Sequence, residues 1–476
     1  METNELPAGW VTATVDDLGE YINGCAFKPA DWHETGTPIV RIQNLTDPSK
    51  PLNLTERKVD ERYHIDRRDI LVSWSATLDV FRWSGPLAYV NQHIFKVVPS
   101  DKLDGGFVEF SLKKAILELT NSEHLHGSTM KHINRRPFLA HSINLPPLPE
   151  QERIVEKIEM LFAELGKGEE ALREVQKLLA RYRQSVLKDA FAGKLTADWR
   201  YANGADDEID LLETLLQQRR KTWEGRGKYE EPSAPDSDRL SALPEGWVWT
   251  TIGQLFHVFG GATPSRRKPE NWNGEIPWVS SGEVAFCRIK STREKITDVG
   301  LKSCSTKIHP IGTVLLAMIG EGKTRGQAAI LDIPAGNNQN AAAIRVSQST
   351  LPAEYVYYFL LGNYEESRLK GQGGNQPALN GEKVKSFLLP LPISVNEAQE
   401  IVSRIEEAFA SSEIAKSMCE AELLRSKALR QSILKDAFSG KLVPQDPSDE
   451  PAEKLLERIR ASRLEGAKSK TKRVEV

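Results

Sequence analysis

The sequence predicts an α+β fold in which two mixed α/β domains are joined by a long two-helix coiled coil, and three observations predict it. Residues 183–196, RQSVLKDAFAGKLT, recur as residues 430–443, RQSILKDAFSGKLV, with 11 of 14 positions identical and an offset of 247 residues. A long heptad pattern of apolar residues precedes each copy. A globular segment rich in Val and Ile precedes each heptad pattern, so the chain is predicted to be an internal repeat.

Length and composition favour at least two domains and exclude several classes of protein. The chain has 476 residues, of which 39% are hydrophobic, and its formal net charge is −3. No stretch approaches the roughly 18 apolar residues of a membrane span, and the polar start METNELPAGW is unlike a signal peptide. Cys25, Cys287, Cys304 and Cys419 are scattered without CxxC spacing, which predicts a cytoplasmic protein with neither a disulfide framework nor a zinc site.

The first predicted domain covers residues 1–149. Short runs rich in Val and Ile and bounded by Gly, Pro, Asn and Asp indicate strands. These runs are residues 38–45, 69–76 and 87–99. A helix is expected at residues 107–122, and a polar loop at 126–137 precedes the apolar segment that leads into the long helix.

The first spacer helix and the short helix after it are predicted over residues 150–224. Apolar residues recur at spacings of four and three over residues 154–186, with Gly168 as the interruption. Pro149 opens the helix, where a missing N–H costs nothing, and Gly193 ends it. The run has about 40 residues and is therefore ~60 Å long at ~1.5 Å per residue. A seam of this length needs a partner helix.

The second half repeats this order of parts. Its predicted parts are a polar linker at 225–242, a second domain at 243–393, a second spacer helix at 394–440, and a C-terminal helix with a disordered basic tail at 441–476. Short motifs correspond as well, since LPEGW in the second half corresponds to LPAGW in the first, and NNQNAAAIRV corresponds to VNQHIFKV. The seam of the first helix is predicted to include Val175 and Tyr182, and that of the second helix to include Leu429.

One segment resembles a catalytic motif. Residues 317–324, AMIGEGKT, fit a relaxed phosphate-loop pattern, which makes a nucleotide-binding enzyme the alternative to a non-catalytic protein. A working phosphate loop must open a helix whose N-terminal amides hold the phosphate, but another strand is predicted after Gly326. The nine histidines occur singly, and no nuclease carboxylate cluster or S-adenosylmethionine loop is found. The sequence therefore predicts no catalytic residue, no metal and no cofactor bound by this chain.

Candidate DNA-contacting side chains occur at corresponding places in the two halves. Arg and Lys suit phosphates and guanine edges, whereas Asn and Gln suit adenine edges. The candidates in the first domain are Trp74, Thr77, Arg82, Gln92, His93, Ser128, Thr129, Lys131, His132, Arg135 and Arg136. Those in the second domain are Arg266, Arg267, Lys268, Lys323, Thr324, Arg325, Asn338, Gln339, Asn340, Gln372, Asn375 and Gln376. A solvated surface position is the alternative for each residue, and the corresponding placement of the two sets favours DNA reading.

The chain resembles the specificity subunit of type I restriction-modification systems. The resemblance rests on LPPLPEQERIVEKIE followed by SVLKDAFAGKL, on their second copies and on the two variable globular segments, and it covers essentially the whole chain. It implies two target recognition domains that each read one half of a bipartite, asymmetric DNA site. The two long helices would pack antiparallel as a spacer with a pseudo-twofold axis. One departure is that the second helix begins PISVNEAQEI instead of a PLPEQE-like start.

The resemblance also implies partners, because this chain offers no catalytic group. Two modification subunits would dock along the helices and methylate adenine at N6 with S-adenosylmethionine. Two restriction subunits would add cleavage that depends on ATP and Mg. Exposed helix ends would supply equivalent docking residues, with the alternative that these residues only cap the coiled coil. They are Asp189, Phe191, Lys194, Asp436, Phe438 and Lys441. A coiled-coil adaptor that reads no sequence is the remaining alternative.

Overall fold

The computed structural model describes residues 6–120, 132–203, 210–224, 228–236, 240–320, 322–370 and 378–474, with the side chains of Lys370 and of residues 466–474 left out. The chain divides into two compact units. The first unit joins Met1–Arg173 to Glu420–Val476, and the second unit is Glu174–Cys419. Each unit therefore takes one globular segment and one part of each long helix.

Strands and helices alternate throughout the first half of the chain. Its strands are β1 Val11–Thr14, β2 Gly19–Asn23, β3 Thr37–Val40, β4 Asn53–Thr55, β5 His64–Ile65, β6 Ile70–Ser73, β7 Asp79–Arg82, β8 Ala88–Val90, β9 Ile94–Pro99 and β10 Ser142–Leu145. Its α-helices are α1 Ile42–Thr46, α2 Gly105–Thr120, α3 Arg135–Leu139, α4 Leu148–Phe191, α5 Ala197–Asn203 and α6 Leu211–Lys221.

The second half repeats this alternation. Its strands are β11 Val248–Thr251, β12 Val258–Gly260, β13 Trp272–Val279, β14 Cys287–Ile289, β15 Glu294–Ile296, β16 Val314–Ala317, β17 Ala328–Leu331, β18 Gly336–Asn337, β19 Ala341–Ile344 and β20 Leu388–Leu391. Its α-helices are α7 Ile252–Leu255, α8 Asp298–Lys302, α9 Ala353–Gly362, α10 Tyr364–Lys370, α11 Gly381–Lys385, α12 Val395–Ala437 and α13 Ala452–Val474.

The globular part of the first unit is built from two four-stranded sheets and one strand pair. One sheet has the antiparallel order β2-β9-β6-β7, and the other has the order β4-β3-β8-β5, in which β3 and β8 run parallel. Strand β1 pairs with β10. Every residue of β6 (ILVS) is buried, which is typical of a strand covered on both faces. Helix α2 supplies the buried Phe107 and Leu112 to the same core.

The globular part of the second unit repeats this plan around a larger sheet. Its sheets have the orders β12-β19-β16-β17-β14 and β15-β13-β18, and β11 pairs with β20. Strands β13 and β18 run parallel, as β3 and β8 do, and β16 pairs antiparallel with β19, as β6 does with β9. The predicted two-domain α+β architecture with an internal repeat is therefore confirmed.

The long helices α4 and α12 have 44 and 43 residues, and Gly168 does not interrupt α4. In the first unit, Ile154 and Ile158 at the start of α4 share a core with Ile433 and Leu434 near the end of α12. In the second unit, residues near the end of α4 share a core with residues near the start of α12, and these are Val186, Leu187, Ala190, Ile401 and Ile405. Within each unit, one helix start therefore packs with the other helix end.

Ion pairs between α4 and α12 accompany this apolar packing within each unit. In the first unit, Glu169 accepts hydrogen bonds from Ser426 (2.7 Å) and from Nε of Arg430 (3.0 Å). In the second unit, Arg183 pairs with Glu413 at 3.4 Å. Three predicted seam residues are instead exposed, namely Val175, Tyr182 and Leu429. The prediction of a continuous buried seam is wrong at these positions, because heptad spacing alone does not show which turns face the partner helix.

A joint of the same construction links each globular segment to the long helices. In the first unit, Trp10 donates a hydrogen bond to the buried Glu150 at the start of α4 (3.0 Å). Gly440, after the end of α12, has φ +70° and lies so close to the ring of Pro7 that a Cβ would overlap it. The LPAGW motif therefore contacts the start of one long helix and the end of the other.

The second unit builds this joint with the LPEGW motif. Trp247 donates to the buried Glu397 at the start of α12 (2.9 Å). Gly193, after the end of α4, has φ +67° and lies against Pro244. Arg200 and Thr196 also bind the carboxylate of Glu397. The two copies of the short motif therefore make equivalent contacts in their respective units.

The shorter helices after each long helix complete the two globular cores. In the first unit, Leu455 and Ile459 of α13 pack into the core with Val15 and Leu18, and Arg460 binds the carboxylate of Asp17 with two hydrogen bonds of 3.0 Å. In the second unit, α6 places Leu211 and Leu215 in the core with Ile252 and Leu255. Nε2 of His257 donates to the main-chain oxygen of Arg219 at 2.9 Å.

Three predicted elements differ from the structure. The strand predicted at 38–45 ends at Val40, because Asn44 accepts a hydrogen bond from the Arg41 amide and starts α1. The strand predicted at 87–99 is divided into β8 and β9 by a turn at residues 91–93. The C-terminal tail was predicted to be disordered, but α13 continues to Val474 because its residues are mainly Ala, Lys, Arg and Glu, which favour helices.

Candidate nucleic-acid interface

Three loops meet at one end of the sheets in the first unit. They are residues 74–78 after β6, residues 91–93 before β9, and residues 132–134. The amide of Trp74 donates to the main-chain oxygen of His93 (3.4 Å), and the amide of Ile133 donates to that of Trp74 (3.1 Å). Main-chain hydrogen bonds therefore hold the three loops together, and we call this region the three-loop end.

The second unit has the same three-loop end, formed by residues 318–327, 338–340 and 378–380, of which residue 321 is not described. The amide of Met318 donates to the main-chain oxygen of Asn340 (2.8 Å), and the amide of Leu379 donates to that of Met318 (2.9 Å). The main-chain amide of Asn338 donates to the main-chain oxygen of Val279 (3.0 Å). In the first unit the main-chain amide of Asn91 donates to the main-chain oxygen of Val40 (3.0 Å). The matching hydrogen bonds make Trp74 equivalent to Met318, His93 to Asn340, and Ile133 to Leu379.

The structure brings five of the first-domain candidates together at the three-loop end. These are Trp74, Thr77, Gln92, His93 and His132. The ring of Trp74 lies 5.4 Å from that of His93 and 6.0 Å from that of Phe95. The buried Nε1 of Trp74 and the buried Oε1 of Gln92 have no hydrogen-bond partner among the described residues. Buried polar atoms are normally paired, so these two atoms are unsatisfied polar groups of this end.

The second-unit end gathers another six candidates. They are Lys323, Thr324, Arg325, Asn338, Gln339 and Asn340. Lys323 is exposed, whereas Arg325 is buried. Gln339 is exposed and its Oε1 accepts a hydrogen bond from Thr263 (2.5 Å), and Oδ1 of Asn338 accepts one from the amide of Asn340 (3.1 Å). This end therefore presents amide groups and a lysine, where the first unit presents two histidines, an indole and an amide.

Other candidates have partners within their own domain. Arg82 pairs with the buried Glu109 at 2.6 Å, and Arg135 donates to the main-chain oxygen of Tyr21 at 3.1 Å. Arg136 lies beside Arg135 on α3. Arg266 makes two hydrogen bonds to Glu294, of 2.7 and 2.9 Å.

These contacts give three of the cationic candidates, Arg82, Arg135 and Arg266, a partner within the protein. The guanidinium of Arg266 also lies 4.4 Å from the ring centre of Trp272, and Arg267 and Lys268 follow it in the same turn. The remaining candidates lie outside the described residues, and they are Ser128, Thr129, Lys131, Gln372, Asn375 and Gln376.

The phosphate-loop-like segment does not open a helix. After β16 the chain makes turns over the described residues 322–326 and enters β17. Main-chain atoms of this turn serve the local fold, since the amide of Gly326 donates to Ala317 (2.8 Å) and the hydroxyl of Tyr364 donates to the main-chain oxygen of Lys323 (2.5 Å). The helix N-terminus that holds phosphate in such loops is absent from this described stretch.

The aromatic helix-end residues are not on an exposed surface. Phe191 stacks edge-on against Tyr355 and Phe359 in the second core, and Phe438 packs 5.4 Å from Phe107 in the first. The prediction of exposed docking aromatics is therefore wrong for both residues, because each helix end turns into the globular core that it supports.

The charged helix-end residues belong to the caps. The main-chain oxygens of Asp189 and Asp436 accept from the amides of Lys194 (2.8 Å) and Lys441 (2.9 Å). These bonds close the last turn of each long helix. The side chains of the two lysines are exposed, and those of the two aspartates are half-buried.

Exposed apolar side chains occur along the middle of the long helices instead. In the second unit these are Val175, Leu178, Tyr182, Ile414 and Met418. In the first unit they are Met160, Leu424 and Leu429. Large apolar side chains exposed in a row are typical of a protein–protein contact surface. Three of them follow the heptad spacing, but the spacing alone does not distinguish the face that packs internally from the face left exposed.

The described residues lack two kinds of feature, a metal-binding cluster and a membrane-spanning helix. Those residues contain no group of three or more His, Cys, Asp or Glu side chains that could hold a metal ion. No described helix is long and apolar enough to cross a membrane.

Comparison with known proteins gives the family. Residues 7–173 and 244–423 match the family described as the type I restriction modification DNA specificity domain. Among similar relatives, the EcoBI specificity subunit of Escherichia coli is 24% identical over 485 residues, which cover 98% of this chain and 94% of that subunit. The EcoEI specificity subunit of Escherichia coli is 55% identical over 350 residues, which cover 60% of this chain and 55% of that subunit.

Solved structures show the same fold. A chain from a study of complex assembly and conformational transition in the type I R-M system matches with a TM-score of 0.64 at 17% identity, covering 92% of this chain and 99% of that chain. The HsdS subunit from Thermoanaerobacter tengcongensis matches with a TM-score of 0.51 at 16% identity, with the same coverage. Both family matches begin at a joint motif and continue into a long helix, and together they span well over half of the sequence. This chain therefore belongs to the type I restriction modification DNA specificity family.

Proposed function

We propose that this chain is the DNA-recognition subunit of a type I restriction-modification complex, and that each three-loop end reads one half of a bipartite site. The observation that carries this proposal is the pair of ends with matching main-chain hydrogen bonds and different side chains. A common frame with different donors and acceptors is what two unlike half-sites require, because base edges are distinguished by their hydrogen-bond patterns.

The polar side chains at the two ends suggest how bases are read. In the first unit, Trp74 and His93 offer rings beside the unpartnered Oε1 of Gln92. In the second unit, Gln339 and Asn340 offer amides, which can bond adenine in a bidentate way. Lys323, which is exposed, would contact a phosphate. The half-sites are therefore expected to differ in sequence.

In this proposal α4 and α12 form an antiparallel coiled coil that sets the gap between the half-sites. It is supported by the packing of a helix start on a helix end within each unit. The exposed apolar residues of the helices, together with the helix-end lysines Lys194 and Lys441, are the proposed docking surface for two adenine-N6 methyltransferase subunits. Two restriction subunits join through them.

Catalysis belongs to those partners in this proposal. They would bring S-adenosylmethionine, ATP and Mg, and the complex would act in the cytoplasm. The chain itself would be non-catalytic, in line with the turn that replaces a helix after residues 317–324.

A genome-wide map of N6-methyladenine tests the proposal. The chain is co-expressed with its methyltransferase subunit in a methylation-free host, and the methyltransferase subunit alone is the control. We expect a split asymmetric motif that depends on this chain. A stable complex that methylates nothing would contradict DNA reading and favour a coiled-coil adaptor.

An exchange of one domain tests which end reads which half-site. Replacing residues 1–149 by the matching segment of a relative with another motif should change one half-site and leave the other unchanged. A change in both half-sites, or in neither, would contradict modular reading.

A further inference from the structure

A buried polar network lies beneath the three-loop end of the second unit. Its centre is Arg345, which is only 6% exposed. Nη1 of Arg345 donates to Oε1 of Glu224 (2.7 Å), and its Nε donates to Nδ1 of His309 (3.3 Å). The guanidinium also lies 4.4 Å from the ring centre of Phe259. Glu224, which follows α6, also pairs with Lys307 (3.0 Å) and is thereby tied to the recognition domain.

The hydrogen bond at Nδ1 of His309 determines which ring nitrogen carries the proton. Because Nδ1 accepts from Arg345, the proton of the neutral ring is on Nε2. Nε2 of His309 and Oδ1 of Asn337 are both buried, and neither has a hydrogen-bond partner among the described residues. The Asn337 side chain lies near enough to the ring to oppose the lowering of the His309 pKa. Burial and the nearby Arg345 lower the pKa of His309 to about 4, so the ring is neutral at physiological pH.

The side chain of Asn337 contacts the main chain of the turn that contains residues 339–340. Its Nδ2 donates to the main-chain oxygens of Asn338 (3.0 Å) and Ala341 (2.7 Å), which flank residues 339–340. Its own main chain is held by Thr306, whose hydroxyl donates to the Asn337 oxygen (2.9 Å) and accepts from its amide (3.2 Å). Hydrogen bonds therefore lead from Glu224 through Arg345 to His309, and the Asn337 side chain near His309 binds the main chain on both sides of residues 339–340.

The first unit has no such network at the equivalent positions. Strand pairing makes Ile65 the equivalent of His309, since these residues pair with Ala88 and Ala335, respectively. The offset of 247 residues makes Val90 the equivalent of Asn337 and Val98 that of Arg345. Ile65 and Val90 are fully buried. The fold therefore tolerates apolar residues here, and the polar set is a property of the second unit.

We infer that Glu224, Arg345, His309 and Asn337 are positioning residues for recognition of the second half-site. They fix the main chain on both sides of residues 339–340 and so determine where the Gln339 and Asn340 amides point. This inference rests on the proposed function of the three-loop ends. It adds that reading of the second half-site depends on a residue of the segment between the domains, Glu224.

Three variants of the chain, each purified in complex with the methyltransferase subunit, test the inference. Methylation is measured on duplexes that carry the mapped site or a single base change in either half-site. His309→Ile combined with Asn337→Val installs the residues of the first unit, and we expect discrimination at the second half-site to fall about tenfold, as for the loss of one buried hydrogen-bonded pair. Discrimination at the first half-site is the internal control and should not change.

The other two variants separate positioning from stability. His309→Gln keeps one acceptor and one donor on the side chain and should restore most of the discrimination. Glu224→Gln removes only the charge of a half-exposed side chain, and we expect a severalfold loss of discrimination with the fold intact. If the double variant does not fold, Glu224→Gln decides the question.

The outcomes distinguish the two proposals. A wild-type complex without a bipartite motif would contradict the proposed function itself. A wild-type complex with that motif, alongside a folded double variant and a Glu224→Gln variant that both keep second half-site discrimination within twofold, would overturn the positioning role. Equal losses at both half-sites would also overturn it, since they would indicate general destabilisation.

Discussion

The two units build the same three-loop end on different supports. In the first unit, Ile65 and Val90 fill the space beneath the loops, whereas His309 and Asn337 occupy the equivalent positions in the second. The loops above have matching main-chain hydrogen bonds in both cases. The frame is therefore set by strand pairing, and the buried residues beneath it are free to differ. An apolar support holds a turn by packing, whereas a polar support also fixes its direction through hydrogen bonds.

The largest expected effect comes from the helix-end aromatics, which the two units share. Phe438→Ala should destabilise the first unit, and Phe191→Ala the second, by about 3–5 kcal/mol each, because each substitution leaves a cavity in a core. Hydrogen exchange resolved by residue is the measurement. Tyr182→Ala, at a position that is 49% exposed, is the control and should change stability by no more than about 0.5 kcal/mol. Equal loss of protection in both units from either Phe variant would contradict the separation of the two cores.

The next effect is a pH dependence that belongs to the second unit. The pKa of His309 is lowered from 6.5 to about 4 by burial and by Arg345, with Lys307 and Glu224 acting in opposite directions. Below its ordinary pKa the unfolded chain binds a proton that the folded unit does not bind until about pH 4. The free energy of unfolding should therefore fall by about 3 kcal/mol between pH 7 and pH 4 on account of this residue.

Urea unfolding at several pH values measures this effect. His309→Gln should flatten the profile of the second unit over that interval. Ile65 holds the equivalent position in the first unit and contributes no titration there. An unchanged profile in the variant would show that another group is responsible.

A smaller effect distinguishes the helices that complete the two cores. Arg460 binds the nearly buried carboxylate of Asp17, and its guanidinium lowers the pKa of that group against the effect of burial. Arg460→Ala should weaken the attachment of α13 to the first unit by about 1 kcal/mol, since Arg460 itself is largely exposed. Limited proteolysis of α13 measures this. Arg463→Ala, which removes an exposed pair with Asp16 (3.1 Å), is the control and should have little effect.

The smallest effect is expected in the ion pairs between the long helices. Double-mutant cycles should give about 1 kcal/mol for Glu169 with Arg430 and only about 0.3 kcal/mol for Arg183 with Glu413. The first pair is less exposed and is supported by Ser426. Raising the salt concentration should remove the weaker coupling first. A stronger coupling for Arg183 with Glu413 would contradict this ranking.

The order of parts could be predicted from the sequence because the chain repeats it. Both long helices and the correspondence of the two halves follow from periodicity and from the offset of 247 residues. The partners of individual side chains could not be predicted in this way. From the sequence, Arg82, Arg135 and Arg266 are known only to be cations. In the structure their partners are Glu109, the main-chain oxygen of Tyr21, and Glu294, respectively.

The burial of the helix-end aromatic residues and the polar network beneath residues 339–340 could not be predicted from the sequence, for a related reason. An aromatic residue near a helix end has the same local pattern whether it faces solvent or a core, so Phe191 and Phe438 gave no signal of burial. His309 and Asn337 come together through strand pairing between segments that are distant in sequence, and only the fold brings them into contact.

The joints at Pro7 and Pro244 determine how a change in the length of the long helices would act on the attached domains. Each glycine after a long helix has a left-handed backbone and lies against a proline ring, and each tryptophan beside it holds the first turn of the other helix. We expect such a joint to restrict rotation, so that a domain does not compensate for a change in helix length by turning. One heptad added to both helices advances each by about 10 Å and turns it by only about 20°. On B-form DNA that advance corresponds to about three base pairs at ~3.4 Å each. In the proposed function, stiff joints would let the helices set the gap between the half-sites in steps of one heptad.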